Sequence, residues 1–187
     1  RVYGVQVLAQ ALEAAQSTVD IDRAVHSQHA YFLREGKTDR PIHYQVERAR
    51  DGGSFNSRRV VASQDDRTIL VSSMSFQRPD DSFDFQESIP EVPAPEDLQS
   101  ERERAKTDGI FDEDFMITTG EDIDVRMVHP IQWANPEQRR GQLFNWMKTT
   151  GPMPDDPALH RNMLAYFSDT MLLDAGLIQH GRSYWDR

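Results

Sequence analysis

Asp169 is the side chain whose setting most invites chemistry. Between Met163 and Leu173 the strong hydrogen-bonding side chains, besides the Tyr166 hydroxyl, are Ser168, Asp169 and Thr170. On a continuous helix Asp169 shares a face with Ala165, Tyr166, Leu172 and Leu173. A carboxylate there is expensive to bury unless it is paired, hydrogen-bonded or used in catalysis. Its other role at this position is to cap a helix break or to bind a nearby backbone group. Both readings stay open on the residues alone.

Arg48, Arg50, Arg58 and Arg59 lie close together and could form a local patch for one phosphorylated small molecule. The substrate-binding candidates within it are Arg58 and Arg59. The alternative is that these are exposed strand arginines that keep a sheet soluble. His26 and His29 form H-x-x-H, but on a regular strand they point to opposite faces and make a poor metal pair. His129, His160 and His180 are scattered, with no carboxylate at ligand spacing, so no metal is expected. The G-x-S-x-G, P-loop and G-x-G-x-x-G motifs are absent, and no cofactor is expected. With no cysteine, disulfide and thiolate chemistry are excluded, and a reducing compartment such as the cytoplasm is expected. A net charge of -10 argues against nucleic-acid backbone binding. No run approaches the roughly twenty apolar residues of a membrane span.

The elements that must position these groups fall into two segments. From Gln6 to Ser17, Leu8, Ala11, Leu12 and Ala15 make one apolar stripe of a helix. Its alanines would let the helix lie close against a sheet. Val25–Leu33 reads as a strand, and Ile42, Tyr44 and Val46 alternate with polar residues as a half-buried strand does. Gly52-Gly53 marks a turn, after which Ser54–Gln64 and Thr68–Gln77 are expected to pair across Asp65-Asp66. Residues 1–78 thus form one α+β unit. Residues 79–120 carry Pro79, Pro90, Pro93 and Pro95 among acids, then the run Glu101-Arg102-Glu103-Arg104, which is linker chemistry. Ile89 and Val92 could pin that linker to a surface.

Residues 121–187 open a second unit. Strands are expected at Ile123–Val128 and Gln142–Met147. Asp156-Pro157 starts a helix that runs through Met171 and Leu172 to a stop at Gly176. This half has its helix but only opening strands, so the unit reads as incomplete. Val7-Leu8-Ala9-Gln10 and Met163-Leu164-Ala165-Tyr166 can be laid over each other, as a duplicated fold would give.

These segments resemble the acyl-CoA thioesterase II (TesB-like) family. The matching pieces are Arg1-Val2-Tyr3-Gly4-Val5-Gln6-Val7-Leu8-Ala9-Gln10-Ala11-Leu12 and His26-Ser27-Gln28-His29-Ala30-Tyr31-Phe32-Leu33-Arg34. Tyr44-Gln45-Val46-Glu47-Arg48, Arg50-Asp51-Gly52-Gly53-Ser54-Phe55, Arg58-Arg59-Val60 and Ser75-Phe76-Gln77 follow in order. Pro90 with Pro93-Ala94-Pro95-Glu96 resembles the family's linker, and Tyr166-Phe167-Ser168-Asp169 with His180-Gly181 its second helix and following loop.

The resemblance implies a double hotdog, two fused α+β units in which antiparallel sheet wraps a long central helix, with the second unit incomplete in this chain. It implies hydrolysis of fatty acyl-CoA to free acid and CoA, and assembly as a homodimer. The family's catalytic constellation is an aspartate on the second helix with a threonine and a glutamine from later strands. Of these only the aspartate maps here, onto Asp169. The chain is therefore expected to be truncated at both ends. A catalytically incomplete fragment that binds acyl-CoA or partners without cleavage is the alternative. Val5 stands where the family usually has glycine, so helix entry or the first groove is expected to differ. A hotdog hydratase fits less well, because Asn135-Pro136 is followed by Glu137 and Gln138 with no nearby histidine.

Overall fold

The apolar stripe at the start of the chain forms helix α1 (Gly4–Gln16), which begins two residues before the expected Gln6. The computed structural model describes residues 1–108, 122–132, 137 and 141–182. Ala11 and Ala15 are both 0% exposed, so the helix axis can approach the sheet closely. Val5 is equally buried in the first turn, while Tyr3 ahead of it is extended, so the branched residue leaves helix entry regular. The tighter position is one residue earlier. A Cβ on Gly4 would sit 3.1 Å from the Phe32 ring.

Four antiparallel strands follow: β1 (Ala24–Phe32), β2 (His43–Asp51), β3 (Phe55–Gln64) and β4 (Arg67–Gln77). Their spatial order is β1-β4-β3-β2. The β3–β4 hairpin turns at Asp65 and Asp66, both with positive φ (48° and 59°), the two-residue turn whose twist suits a hairpin. Val60, Ala62, Leu70, Met74 and Phe76 alternate inward and pack with Val7, Ala11, Leu12 and Ala15 of α1. Burying Leu12 or Phe76 contributes about 1.5–3 kcal/mol each. This helix laid on an antiparallel sheet is the arrangement expected of a hotdog unit.

Strand β1 departs from regular alternation. Its register slips between Val25 and Ser27. The bulge leaves both His26 and His29 exposed, contrary to the expectation that they face opposite sides. His26 Nε2 lies 2.8 Å from Ser75 Oγ, and the His29 ring tilts against Tyr31.

The chain divides into two compact units, Arg1–Phe85 with Pro154–Ser168, and Gln86–Met153 with Asp169–Arg187. The first therefore also holds α3 (Pro157–Phe167). Asp156 caps it as expected, accepting from Ala158 N at 2.8 Å. Helix α3 lies on α1, where Asn162 Nδ2 donates to Glu13 (2.6 Å) and Gln16 Nε2 donates to Asn162 Oδ1 (2.8 Å).

In the second unit, residues 101–104 are not solvated linker. They begin helix α2 (Glu101–Asp108). Glu103 N donates to Ser100 Oγ (3.2 Å) and Ser100 N to Glu103 Oε2 (3.4 Å), a reciprocal cap. Glu101 is 1% exposed and grips Arg104, whose Nη2 also donates to Ile131 O. Strands β5 (Ile123–Met127) and β6 (Asn145–Thr149) pair antiparallel, β6 starting three residues later than expected. Polar contacts anchor the proline-rich stretch: Trp146 Nε1 donates to Pro93 O, and Arg126 Nη1 to Pro95 O and Leu98 O. Ile89, expected as an apolar pin, is 71% exposed. The expected unit boundary near residue 121 lies outside the described residues.

Candidate active-site turn and arginine cluster

Helix α3 stops at Phe167, short of the expected run through Leu172. Ser168 ends it: its Oγ donates to Ala165 O at 2.7 Å. The chain then turns, Met171 takes a left-handed conformation (φ 64°), and α4 (Leu172–Leu177) begins. Met171 packs against the cluster of Met127, Ile131 and Ile178, and that partial burial redirects the backbone. Gly176, read as the stop, lies inside α4. The left-handed residue that ends this segment is Gly181 (φ 63°).

Asp169 therefore sits in a turn between two helices, not on one continuous apolar face. Among the described residues its side chain makes no hydrogen bond, so it caps neither helix. The residue is exposed overall, yet enough protein crowds its carboxyl that desolvation raises its pKa above the ordinary aspartate value. A carboxylate that is unpartnered, reachable and more basic than usual can take a proton from water.

The two candidate arginines part company. Arg58 points inward and its side chain is 1% exposed. Nε donates to Thr18 Oγ1 (2.7 Å), Nη1 to Arg50 O (3.0 Å) and Ser57 O (2.9 Å), and Nη2 to Thr18 O (3.0 Å) and Asp51 Oδ1 (2.5 Å). These contacts use all of its N–H donors. Arg59 points outward and, among the described residues, pairs with Glu47 at 3.5 Å, both side chains exposed. Sequence reading could not separate them by role, because alternation says they diverge but not which is inside.

Beside α1 lies an open cleft of about 530 Å³, lined by Val2, Gln10, Glu13, Lys37, Ile42 and Tyr44 among others. Tyr44 donates to Gln10 Oε1 at 2.7 Å, and burial pushes its pKa up to about 12, so the phenol stays a donor at neutral pH. The pattern alone marked Tyr44 as half-buried strand and gave no sign of this cleft.

Residues 1–77 match the family model described as acyl-CoA thioesterase N-terminal domain, and residues 125–187 the model described as acyl-CoA thioesterase. The chain is 35% identical over 189 residues to acyl-CoA thioesterase 2 of Haemophilus influenzae, covering 98% of this chain and 65% of that protein. A crystal structure of an acyl-CoA thioesterase II from Mycobacterium marinum superposes with a TM-score of 0.75 at 34% identity, over 96% of this chain and 63% of the other. A hotdog-fold protein of unknown function from Alicyclobacillus acidocaldarius gives 0.75 at 20% identity, over 97% and 62%, a likeness of fold. The chain thus spans less than two thirds of these relatives' own length. With both segments matched in order and the hotdog arrangement in place, the chain belongs to the acyl-CoA thioesterase II family.

Proposed function

We propose that the whole protein hydrolyses fatty acyl-CoA thioesters to free acid and CoA, with Asp169 holding and deprotonating the attacking water. The observation that carries this is the desolvated, unpartnered Asp169 carboxyl in a turn that the family match includes. The water oxygen bonds to the thioester carbonyl carbon, Asp169 takes the water's proton, the C–S bond breaks, and the proton passes to the leaving sulfur. Threonine and glutamine from later strands would hydrogen-bond the same water, and backbone N–H groups would steady the oxyanion. The acyl chain would lie beside a central helix. Of the two candidates, exposed Arg59 is the one that could turn from Glu47 to a CoA phosphate, while Arg58 holds the strand that carries it. The reading extends to a homodimer in the cytoplasm. No helix among the described residues is long and apolar enough to cross a membrane.

Asp169→Asn in the whole protein is expected to lower kcat on a medium-chain acyl-CoA by at least about 10²-fold, followed by thiol release. Activity within a few-fold of the parent would assign water activation to another group. The alternative reading is binding of acyl-CoA without cleavage. Intact mass and thiol release on one sample separate the two. A mass of 21.5 kDa with tight acyl-CoA binding and no CoA release supports binding alone.

A further inference from the structure

Among the described residues of the first unit, the least satisfied buried charge is Arg23, 9% exposed. Its Nη2 donates to Gly52 O and Gly53 O, both at 3.0 Å. Its Nε and Nη1 have no acceptor, and the Oδ1 of Asn56, 5% exposed, has no donor. Among the described residues no carboxylate forms an ion pair with this guanidinium. Asp51 is turned to Arg58 (2.5 Å) and to Asn56 Nδ2 (2.9 Å). A buried cation with unfilled donors is costly unless something supplies acceptors and negative charge.

Arg23 and Asn56 line one pocket of about 270 Å³, with Arg48, Arg58, Asp20 and Asp51 among its walls. Three arginines against two aspartates leave it net positive. Arg48 is exposed and forms no ion pair or hydrogen bond among the described residues, so it stands as a free cation at the rim. The unfilled groups define what fits: oxyanion acceptors for Arg23 and Arg48, and one O–H or N–H donor for Asn56 Oδ1. A carboxylate lacks the donor. A phosphate monoester, whose second pKa is about 6, keeps a P–OH in part of its population near neutral pH and supplies both. The volume accommodates a phosphate group and not a whole nucleotide, so the rest of the molecule would extend outward past Arg48.

We propose that this pocket binds a phosphate monoester, with Arg23 at its floor, Arg48 at its rim and Asn56 accepting the P–OH. The site uses residues of the first unit only and stands whether or not Asp169 activates water. The probe is inorganic phosphate, titrated against thermal unfolding of the 187-residue chain at constant ionic strength. A saturable rise in Tm is expected, since a ligand that binds only the folded state stabilises it by mass action. Arg48→Ala, at an exposed position, is expected to weaken the apparent affinity about tenfold or more while leaving the phosphate-free Tm in place. Arg23→Gln is expected to abolish saturation, and Arg48→Ala keeps the test decisive if that buried variant does not fold. An unsaturable rise, the same in parent and Arg48→Ala, is a generic salt effect and overturns the proposal, as does no rise. Calorimetry with CoA and dephospho-CoA then identifies the source. Tighter binding of CoA that Arg48→Ala erases assigns the phosphate to CoA's 3′ position, and equal binding assigns it to a free phosphate monoester.

Discussion

Neighbouring arginines show how far residue type falls short of role. Arg58→Ala removes five donors from partly buried hydrogen bonds at once, whereas Arg59→Ala removes one long, solvent-screened contact. Asp51 is half exposed, so its charge pairing with Arg58 is partly screened and the stranded carbonyls dominate the cost. Arg58→Ala is expected to lose at least about 3 kcal/mol and Arg59→Ala less than about 1 kcal/mol in denaturant titrations. Asp169 gives a second residue-scale prediction, with its sign set by the raised pKa. Folding disfavours its charged form, so the destabilisation is absent below the ordinary aspartate pKa of 3.8 and grows as pH rises through the raised folded value. Asp169→Asn should therefore match the parent's Tm near pH 3.5 and equal or exceed it at pH 7. A variant that loses activity while holding or gaining stability marks a functional residue. A fall in Tm at pH 7 would make Asp169 structural.

At the scale of elements, two backbone positions test how turns are enforced. A Cβ on Gly52 would stand 2.8 Å from Phe55 O, while one on Gly53 meets nothing within 4 Å. Gly52→Ala should cost about 1–3 kcal/mol and Gly53→Ala little, measured by thermal unfolding. The α3–α4 turn sets two effects against each other. A left-handed Met171 costs about 1–2 kcal/mol, and full burial of a methionine returns about 1.5–3 kcal/mol, of which the half-buried Met171 gains only part. The two nearly cancel, so Met171→Gly is expected to leave the Tm close to the parent's. A gain in Tm would show that backbone strain outweighs the side chain.

For the whole molecule, charge governs behaviour more than any one contact. The net charge of -10 keeps molecules apart at neutral pH, and that repulsion vanishes near the pI of about 5.0. Leu172 and Leu173 (63% and 56% exposed), together with Phe83 and Phe85 (103% and 90%), hold apolar surface in water. Turbidity at fixed protein concentration should therefore peak near pH 5 and fall on either side. A flat profile would mean that these apolar side chains are covered in solution.

The sequence by itself determined whatever is written within a few residues. The stripe of α1 follows from helical spacing, the β3–β4 hairpin from alternation around Asp65-Asp66, and the start of α3 from Asp156-Pro157. The Ser100-x-x-Glu103 cap was equally legible there, though the surrounding charge masked it as linker. Ordered motifs gave the family. Tertiary structure alone decided which charges are buried and where the second long helix stops. Arg58 is inside because Thr18, 40 residues away, receives it, and Arg104 is inside because Ile131, 27 residues away, does. The stop after Phe167 belongs to the same class, since Met171 leaves the helical path to pack with Met127 and Ile131. Local pattern fixes the period of an element, but the free energy of burying a charge or straining a residue depends on partners that only the folded chain brings together.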